Sequence, residues 1–208
     1  MPKYSLGFFV FKMPGKIEAP DFGSKEAGKP VLTDQQLKIL RLAALGLTNQ
    51  EIADELGRSP NTIKNHFSLV EHGKEGIYRR LGVYSRREAV IKAIKELGVL
   101  DPLELVSEEE SARCESLTER QLEVLCWLAD PDLPSLRETP VEIGAKLQIR
   151  FRTVKRHLSD IYNCLGIPSK RSTARGARAA VVYLAYKRRK EATSPYHERL
   201  HELNEAAY

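Results

Sequence analysis

The chain has 208 residues, of which 42% are hydrophobic and 29% charged, and its formal net charge is +5. This composition is normal for a globular protein, and the length allows one or two domains that fold unaided. The three cysteines form neither a C-x-x-C pair nor a cluster with histidines, so the sequence supports neither a disulfide framework nor a zinc site.

Residues 1–30 contain four prolines and four glycines, which predicts an N-terminal tail or an apolar arm that docks on the body of the protein. The most apolar stretch there, SLGFFVF (Ser5–Phe11), is too short to cross a membrane and lacks a convincing signal-peptide cleavage pattern. We therefore expect a cytoplasmic protein with no membrane partner.

Residues 31–97, the first unit, show the apolar periodicity of four consecutive helices. Each helix begins with a residue that can cap it, and the first two begin with capping-box patterns. The four start signals are Thr33-x-x-Gln36, Thr48-x-x-Glu51, Ser59-Pro60 and Ser85.

Residues 98–116, the linker, carry a net charge of −5, from one basic and six acidic side chains. Asp101-Pro102 and the run Glu108–Glu110 indicate a linker with one short helix capped at Ser107. The acidic run is either a solvated face or a shield for a basic surface elsewhere in the protein.

Residues 117–190, the second unit, repeat the first. LTERQLEVLCWLAD (Leu117–Asp130) matches LTDQQLKILRLAAL (Leu32–Leu45), including the capping pattern Thr118-x-x-Gln121, and later segments match in the same order. This internal repeat predicts two copies of one four-helix unit, followed by a C-terminal tail over residues 191–208. The second copy ends in a basic run, Tyr186–Lys190, which is either a solvated helix end or a phosphate-binding extension.

In each copy a short capped helix, a tight turn and a helix rich in basic residues follow one another, as in a helix-turn-helix. The combined pattern L-T-x-x-Q-x-x-[IV]-L … [TN]-x-x-E-I-[AG]-x-x-L … T-[IV]-K-x-H … L-G-[IV] resembles the LuxR/FixJ-type (GerE-like) helix-turn-helix domain of bacterial transcription regulators. This resemblance implies an all-α fold of two four-helix domains in tandem. Each would have a winged-helix-like three-helical core and a fourth helix that commonly mediates dimerisation.

By the same resemblance, the helix with T-[IV]-K-x-H is the recognition helix of each unit. The side chains expected at the phosphate backbone are Thr62, His66, Arg150, Thr153 and His157. Those expected to face the bases are Lys64, Asn65, Ser68, Lys155, Arg156 and Ser159, and Arg152 is a further DNA-binding candidate. The lysine and the serine of each unit are four residues apart and would share one helix face.

The first unit departs from the family pattern within its recognition helix. His66 and Leu81 lie 15 positions apart, whereas His157 and Leu165 lie 8 apart. The seven extra residues predict either a recognition helix that is longer by about two turns or a kink or small loop. Glycines within the extra residues oppose an unbroken helix.

The second unit departs from the pattern before its recognition helix. Six extra residues lengthen the connection ahead of the short bracing helix, and Arg150-Phe151 stands where the first unit has Ser59-Pro60. The usual N-cap is therefore lost, and a basic residue at a helix N-terminus is unfavourable. A phosphate contact by Arg150 would give this arrangement a function.

These features predict a sequence-specific, double-stranded-DNA-binding transcription regulator that uses two helix-turn-helix domains in one chain. The fourth helices, near Arg86–Leu97 and Ser172–Arg189, would pack as a pseudo-dimer within the chain or form a homodimer. The sequence shows no catalytic constellation, cofactor motif or metal site, so we expect neither an enzyme nor a bound cofactor. Two alternatives stay open: a sigma-factor-like protein that binds promoter DNA with RNA polymerase, and an interaction protein that does not bind DNA.

Overall fold

A computed structural model of the chain describes residues 32–68, 70–71, 74–130, 139–168 and 172–193. The predicted N-terminal arm and nearly all of the C-terminal tail lie outside these ranges. In the first unit the elements are α1 (Asp34–Ala44), α2 (Asn49–Leu56), α3 (Pro60–Phe67), β1 (Val70–Glu71), β2 (Lys74–Glu75), α4 (Ile77–Leu81) and α5 (Arg86–Lys95).

The linker and the second unit continue this helical organisation. Their elements are α6 (Pro102–Leu105), α7 (Glu108–Ala112), the 3-10 helix η1 (Arg113–Ser116), α8 (Glu119–Leu128), α9 (Thr139–Leu147), α10 (Phe151–Cys164) and α11 (Ser172–Ala192). Within the described ranges every regular element except the two-residue strands β1 and β2 is helical, which confirms the predicted all-α class. None of the helices in these ranges is long and apolar enough to cross a membrane.

The predicted helix starts are confirmed. At α1 the backbone N–H of Thr33 donates to Oε1 of Gln36 at 3.1 Å, and the N–H of Gln36 donates to Oγ1 of Thr33 at 3.3 Å. Thr48 and Thr118 begin α2 and α8 with the same reciprocal capping box, and Ser85 caps α5. Each cap satisfies backbone donors that the helix itself leaves free, which contributes about 1 kcal/mol.

The seven extra residues of the first unit form a small loop and not a longer helix. Helix α3 ends at Phe67, and β1 and β2 pair antiparallel before α4 begins. The backbones of Ser68 and Gly76 lie in close contact: a Cβ on Gly76 would lie 1.8 Å from the carbonyl oxygen of Ser68. Nε2 of the buried Gln36 donates to the carbonyl of Glu75 at 3.0 Å, so the capping box of α1 also holds the base of the hairpin.

The two units and the linker share one hydrophobic core. Ile39 and Ile52 of the first unit, Leu105 of the linker, and Val124 and Val182 of the second unit all belong to the same cluster of buried side chains. Helix α11 lies at its centre and packs against α1 and α5 of the first unit, α6 and α7 of the linker, and α8 of its own unit.

The fourth helices of the two units, α5 and α11, pack directly against each other. Ile91 of α5 lies in a second, smaller buried cluster with Ala180 and Leu184 of α11 and Ala129 of the second unit. The small alanine side chains allow the two helix backbones to approach closely. The contact joins helices of different units within one chain.

The linker is more ordered than the sequence predicts, because it contains two short α-helices and a 3-10 helix where one helix was expected. Its acidic side chains are partly used for packing. The guanidinium of Arg178 on α11 forms two hydrogen bonds with the carboxylate of Glu110, at 3.1 and 2.5 Å, and a third with the carbonyl of Leu105 at 3.0 Å. The linker is therefore tied to the second unit's last helix.

The basic run at the end of α11 also binds the linker. Arg188 pairs with Asp101 at 3.1 Å, and Arg189 donates to the carbonyl of Val106 at 2.7 Å and to the hydroxyl of Ser111 at 2.8 Å. These two arginines thus have a structural use that neither sequence interpretation of the run included.

Candidate nucleic-acid interface

Helix α10 presents one apolar face to the core and one polar, basic face to solvent. Its buried side chains are Val154, Leu158, Ile161 and Tyr162. The exposed polar side chains on its first two and a half turns are Arg152, Thr153, Lys155, Arg156 and Ser159. His157 is half-buried between the two faces. The structure therefore brings the sequence-predicted residues of the second unit together on one accessible surface, with Lys155 and Ser159 one turn apart.

The start of α10 is open to an anion. Arg150 is exposed at the N-cap position and, within the described residues, makes no side-chain capping hydrogen bond. Its carbonyl accepts from the backbone N–H groups of Thr153 and Val154, as a normal first turn requires. Free N–H groups and the helix dipole make this end positive, and Arg150 and Arg152 add formal charge.

Helix α9 lies close against the turn that leads into α10. A Cβ on Gly144 would lie 2.7 Å from the carbonyl oxygen of Ile149, so only glycine allows this approach. Within the turn Gln148 adopts a left-handed conformation with φ of 55°. The bracing helix thus holds the start of the recognition helix from behind, as the helix-turn-helix interpretation requires.

Two apolar side chains beside this surface were missed by the sequence reasoning. Phe151, the first residue of α10, is 45% exposed, and Val141 on α9 is 58% exposed. The ammonium of Lys155 lies 5.3 Å from the centre of the Phe151 ring, which is cation–π distance. The sequence did contain one indication of the exposed Phe151. It aligns with Pro60 of the first unit, which is also an apolar residue at an accessible helix start.

Helix α3 presents a smaller polar surface. Ser59 caps it and accepts from the N–H of Thr62, whose own hydroxyl lies 2.9 Å from that of Ser59. Lys64 is exposed, whereas Thr62, Asn65 and His66 are half-buried. The candidate DNA contacts of the first unit are therefore less accessible than their counterparts on α10.

Ser68 lies outside the helix on which it was expected. It is the C-cap residue of α3, with ψ of 166°, and its hydroxyl donates to the carbonyl of Asn65 at 2.7 Å. The one-turn pairing with Lys64 that the spacing predicts is consequently not formed in the first unit. The physical reason is the insertion, since the chain turns into β1 directly after this residue.

An open groove of about 310 Å³ lies between the first turns of α2 and α3. Hydrogen-bonding and basic side chains line it beside one proline. The lining residues are Thr48, Asn49, Gln50, Pro60, Asn61 and Lys64. Two helix N-termini meet at this groove. Backbone N–H groups of both helices and the ammonium of Lys64 could therefore bind a phosphate there.

On the buried side of each recognition segment, an arginine of the fourth helix packs over an aromatic ring. In the first unit the guanidinium of Arg86 lies 4.9 Å from the centre of the Phe67 ring, and the rings of Phe67 and Tyr78 are 5.5 Å apart. Burial raises the pKa of Tyr78 to about 12, with Arg86 opposing the shift. Burial lowers the pKa of Arg86 from its ordinary value.

The second unit uses the same kind of support. Tyr162 on the buried side of α10 lies beneath Arg175 of α11, whose guanidinium is 5.0 Å from the ring centre. Burial raises the pKa of Tyr162, and the nearby Arg175 and Arg87 oppose that shift. Both recognition segments are thus positioned by a fourth helix.

Two units of this kind, each with a bracing helix ahead of a polar, exposed helix start, define a helix-turn-helix protein. The family model for bacterial regulatory proteins of the luxR family (GerE) matches residues 30–93 and 115–177. These two segments cover more than half of the chain. The chain therefore belongs to the luxR family, as the sequence pattern predicted.

Two curated relatives support the same assignment. The chain is 35% identical over 77 residues to the nitrate/nitrite response regulator protein NarP of Escherichia coli (strain K12), across 37% of this chain and 33% of NarP. It is 33% identical over 67 residues to the spore germination protein GerE of Bacillus subtilis (strain 168), across 32% of this chain and 81% of GerE. The chain thus spans a third of NarP and most of GerE. No solved structure matches it.

Proposed function

We propose that the chain is a sequence-specific, double-stranded-DNA-binding transcription regulator in which both helix-turn-helix units act within one polypeptide. The observation that carries this proposal is the polar surface of α10. Three cationic side chains, Arg152, Lys155 and Arg156, are exposed beside Thr153 and Ser159 on the side opposite the core. Membership of the luxR family supports the same function.

The roles of these side chains follow from their chemistry. Lys155 and Arg156 would donate to base edges in a major groove, and Arg156 can do so with two parallel hydrogen bonds to guanine. Thr153, His157 and Arg152 would bind phosphates. Arg150, at the positive end of the helix, would bind a further phosphate.

In the first unit the same logic assigns fewer contacts. Lys64 and Asn65 would face the bases, with Asn65 suited to adenine, and Thr62 and His66 would bind phosphates. Ser68 would contribute only if DNA binding changed the end of α3. The first half-site should therefore differ from the second in sequence and contribute less affinity.

The packing of α5 on α11 supports one chain as the functional unit. In this arrangement residues 31–97 and 117–190 are the two DNA-binding domains, and residues 98–116 are a packed connector between them. Two recognition helices held in this way would bind two half-sites about 34 Å apart, one turn of DNA. The protein would then act as a pseudo-dimeric monomer in the cytoplasm.

Selection of bound sequences from a random DNA pool, followed by footprinting, tests this function. We expect two unlike protected half-sites and one chain per duplex. Affinity should fall steeply with salt, because bound phosphates release counterions. Lys155→Ala should lower the affinity, while Lys95→Ala, an exposed lysine at the end of α5, serves as the matched control. Absence of any selected sequence, or a flat salt response, would contradict the proposal.

A further inference from the structure

Two adjacent arginines begin α5, and both are buried. Arg86 is 7% exposed and Arg87 is 0% exposed. A charged side chain is costly to remove from water unless hydrogen bonds and opposite charges compensate. Burial lowers the pKa of Arg87, and the nearby Glu88, Asp130 and Glu142 oppose that shift. Arginine stays protonated in such surroundings, so a buried positive charge is a fixed feature of this helix.

Arg87 has partners in both units: Nη2 lies 4.0 Å from the carboxylate of Glu88 in its own unit, whereas two of its hydrogen-bond acceptors lie in the other unit. Its Nη1 donates to the carbonyl of Leu128 at 2.7 Å and to the carbonyl of Asp130 at 3.0 Å. These carbonyls are at the C-terminal end of α8, where the helix dipole is negative. A residue of the first unit thus binds the end of the first helix of the second unit.

The partners of Arg86 lie in its own unit. Its guanidinium donates to the carbonyl of Leu47 and to the side chain of Asn49, and it lies over the ring of Phe67. Leu47 and Asn49 flank the turn between α1 and α2. Neighbouring residues of α5 therefore bind the connection between α1 and α2 in the first unit and the end of α8 in the second.

We propose that Arg87 is a positioning residue that sets the orientation of the second recognition helix relative to the first, and thereby the half-site spacing that the protein accepts. This inference rests on the proposed DNA-binding function. The contact between the fourth helices themselves is apolar and includes Ile91, Ala180 and Leu184. Apolar burial is non-directional, so it permits sliding and rotation that two directional hydrogen bonds from a buried cation do not.

The consequence for DNA is geometric. Each added base pair rotates the second half-site by about 35° around the duplex axis and moves it along that axis. If the two units are held rigidly, an added base pair between the half-sites removes the contacts of one unit. If they are loosely joined, the second unit can move with its half-site and keep its contacts. Wild-type protein should therefore show a sharp optimum of spacing, and variants of Arg87 a broad one.

The experiment compares Arg87→Met and Arg86→Met on duplexes whose two half-sites, taken from the selected sequences, are separated by the optimal spacing or by one or two base pairs more or less. For wild type and for Arg86→Met, we expect a change in spacing of one base pair to lower the affinity about tenfold, because one set of half-site contacts is lost. For Arg87→Met we expect a loss of about threefold or less, with unchanged affinity for a duplex that holds only the second half-site. Arg86→Met should weaken the first half-site without broadening the spacing profile.

Arg87→Lys provides a second test if Arg87→Met does not fold, as judged by circular dichroism and a thermal melt. It retains the charge but loses the two-pronged guanidinium geometry, so the spacing profile should broaden here too. A folded Arg87 variant with the wild-type spacing profile would overturn the inference. If wild type binds no DNA at all, the proposed function has failed and not the positioning role.

A DNA-independent measurement separates these two failures. Spin labels at the exposed Gln50 on α2 and Lys146 on α9, with Cys126 and Cys164 replaced by serine, report the distance between the bracing helices. We expect a narrow distance distribution for wild type and a broad one for Arg87→Lys. Equal widths would contradict the positioning role whatever the DNA results.

Discussion

The two recognition segments begin with the same T-[IV]-K-x-H pattern but differ in how long they remain helical. Helix α10 continues for 14 residues, from Phe151 to Cys164, whereas α3 ends after 8 residues at Phe67. Beyond Phe67 the chain turns into a hairpin, and the helix resumes only at Ile77 as α4. One sequence pattern thus appears in two structural contexts within a single chain.

This difference shows that the length of a recognition helix controls how many of its side chains reach solvent on one face. On α10, Arg152, Lys155, Arg156 and Ser159 all project from continuous helix. On α3 the counterpart, Ser68, lies beyond the helix end, and its hydroxyl donates to the carbonyl of Asn65. Under the proposed function, we therefore expect the second unit to read bases and the first mainly to add phosphate contacts.

The largest expected effect comes from removing the base-facing pair of each unit. Lys155→Ala with Arg156→Ala should lower affinity for the selected site by about a hundredfold, because each base contact contributes about 1–3 kcal/mol. Lys64→Ala with Asn65→Ala should lower it by about tenfold, since Asn65 is half-buried. Fluorescence anisotropy at one fixed salt concentration measures both. Equal losses would show that the units contribute equally and would break the comparison.

The second test removes the structural difference itself. Deletion of residues 69–75, with Gly76→Asp, joins Ser68 to the sequence of α4 as Ser159 joins Asp160 in the second unit. A continuous recognition helix should form, and the affinity for the first half-site should rise by several fold, about 1 kcal/mol. Circular dichroism should show added helix. A melting temperature well below that of wild type would instead show that the hairpin's bond to Gln36 is needed for the fold.

The third test uses the unequal helix starts and predicts effects of opposite sign on stability. Ser59→Ala removes a working cap and should lower the free energy of unfolding by about 1 kcal/mol. Arg150→Ser supplies a missing cap and should raise it by a similar amount, about 1 kcal/mol. The same Arg150→Ser change should weaken DNA binding and reduce the slope of log affinity against log salt by about one. Unchanged DNA affinity would show that Arg150 does not contact DNA.

The smallest expected effect concerns the apolar residue at the start of α10. Phe151→Ser should change the free energy of unfolding by no more than about 0.5 kcal/mol, because the ring is half exposed. Its DNA affinity should fall by about threefold, since the ring supports Lys155 at 5.3 Å. Pro60→Ser in the first unit, where no ring lies beneath a lysine among the described residues, is the control. A loss as large as that for Lys155 would mean that Phe151 itself contacts DNA.

The amino-acid sequence alone was sufficient for features that depend on neighbours three or four residues away. Helix starts at Thr33, Thr48, Ser85 and Thr118 were correctly predicted, because the cap and its partner lie within one turn. The repeated pattern also identified the family. These signals are local, so no tertiary information was needed to recognise them.

Other features depend on partners far along the chain. The hairpin is held by Gln36, 39 residues before Glu75, and Arg87 finds the end of α8 at a separation of 41 residues. Nothing near Arg87 distinguishes it from a solvated arginine at the start of a helix. Its burial follows only once α11 packs on α5 and brings the second unit against the first. Local sequence signals cannot encode hydrogen bonds between residues so far apart, so only the tertiary structure decides that Arg87 binds the end of α8.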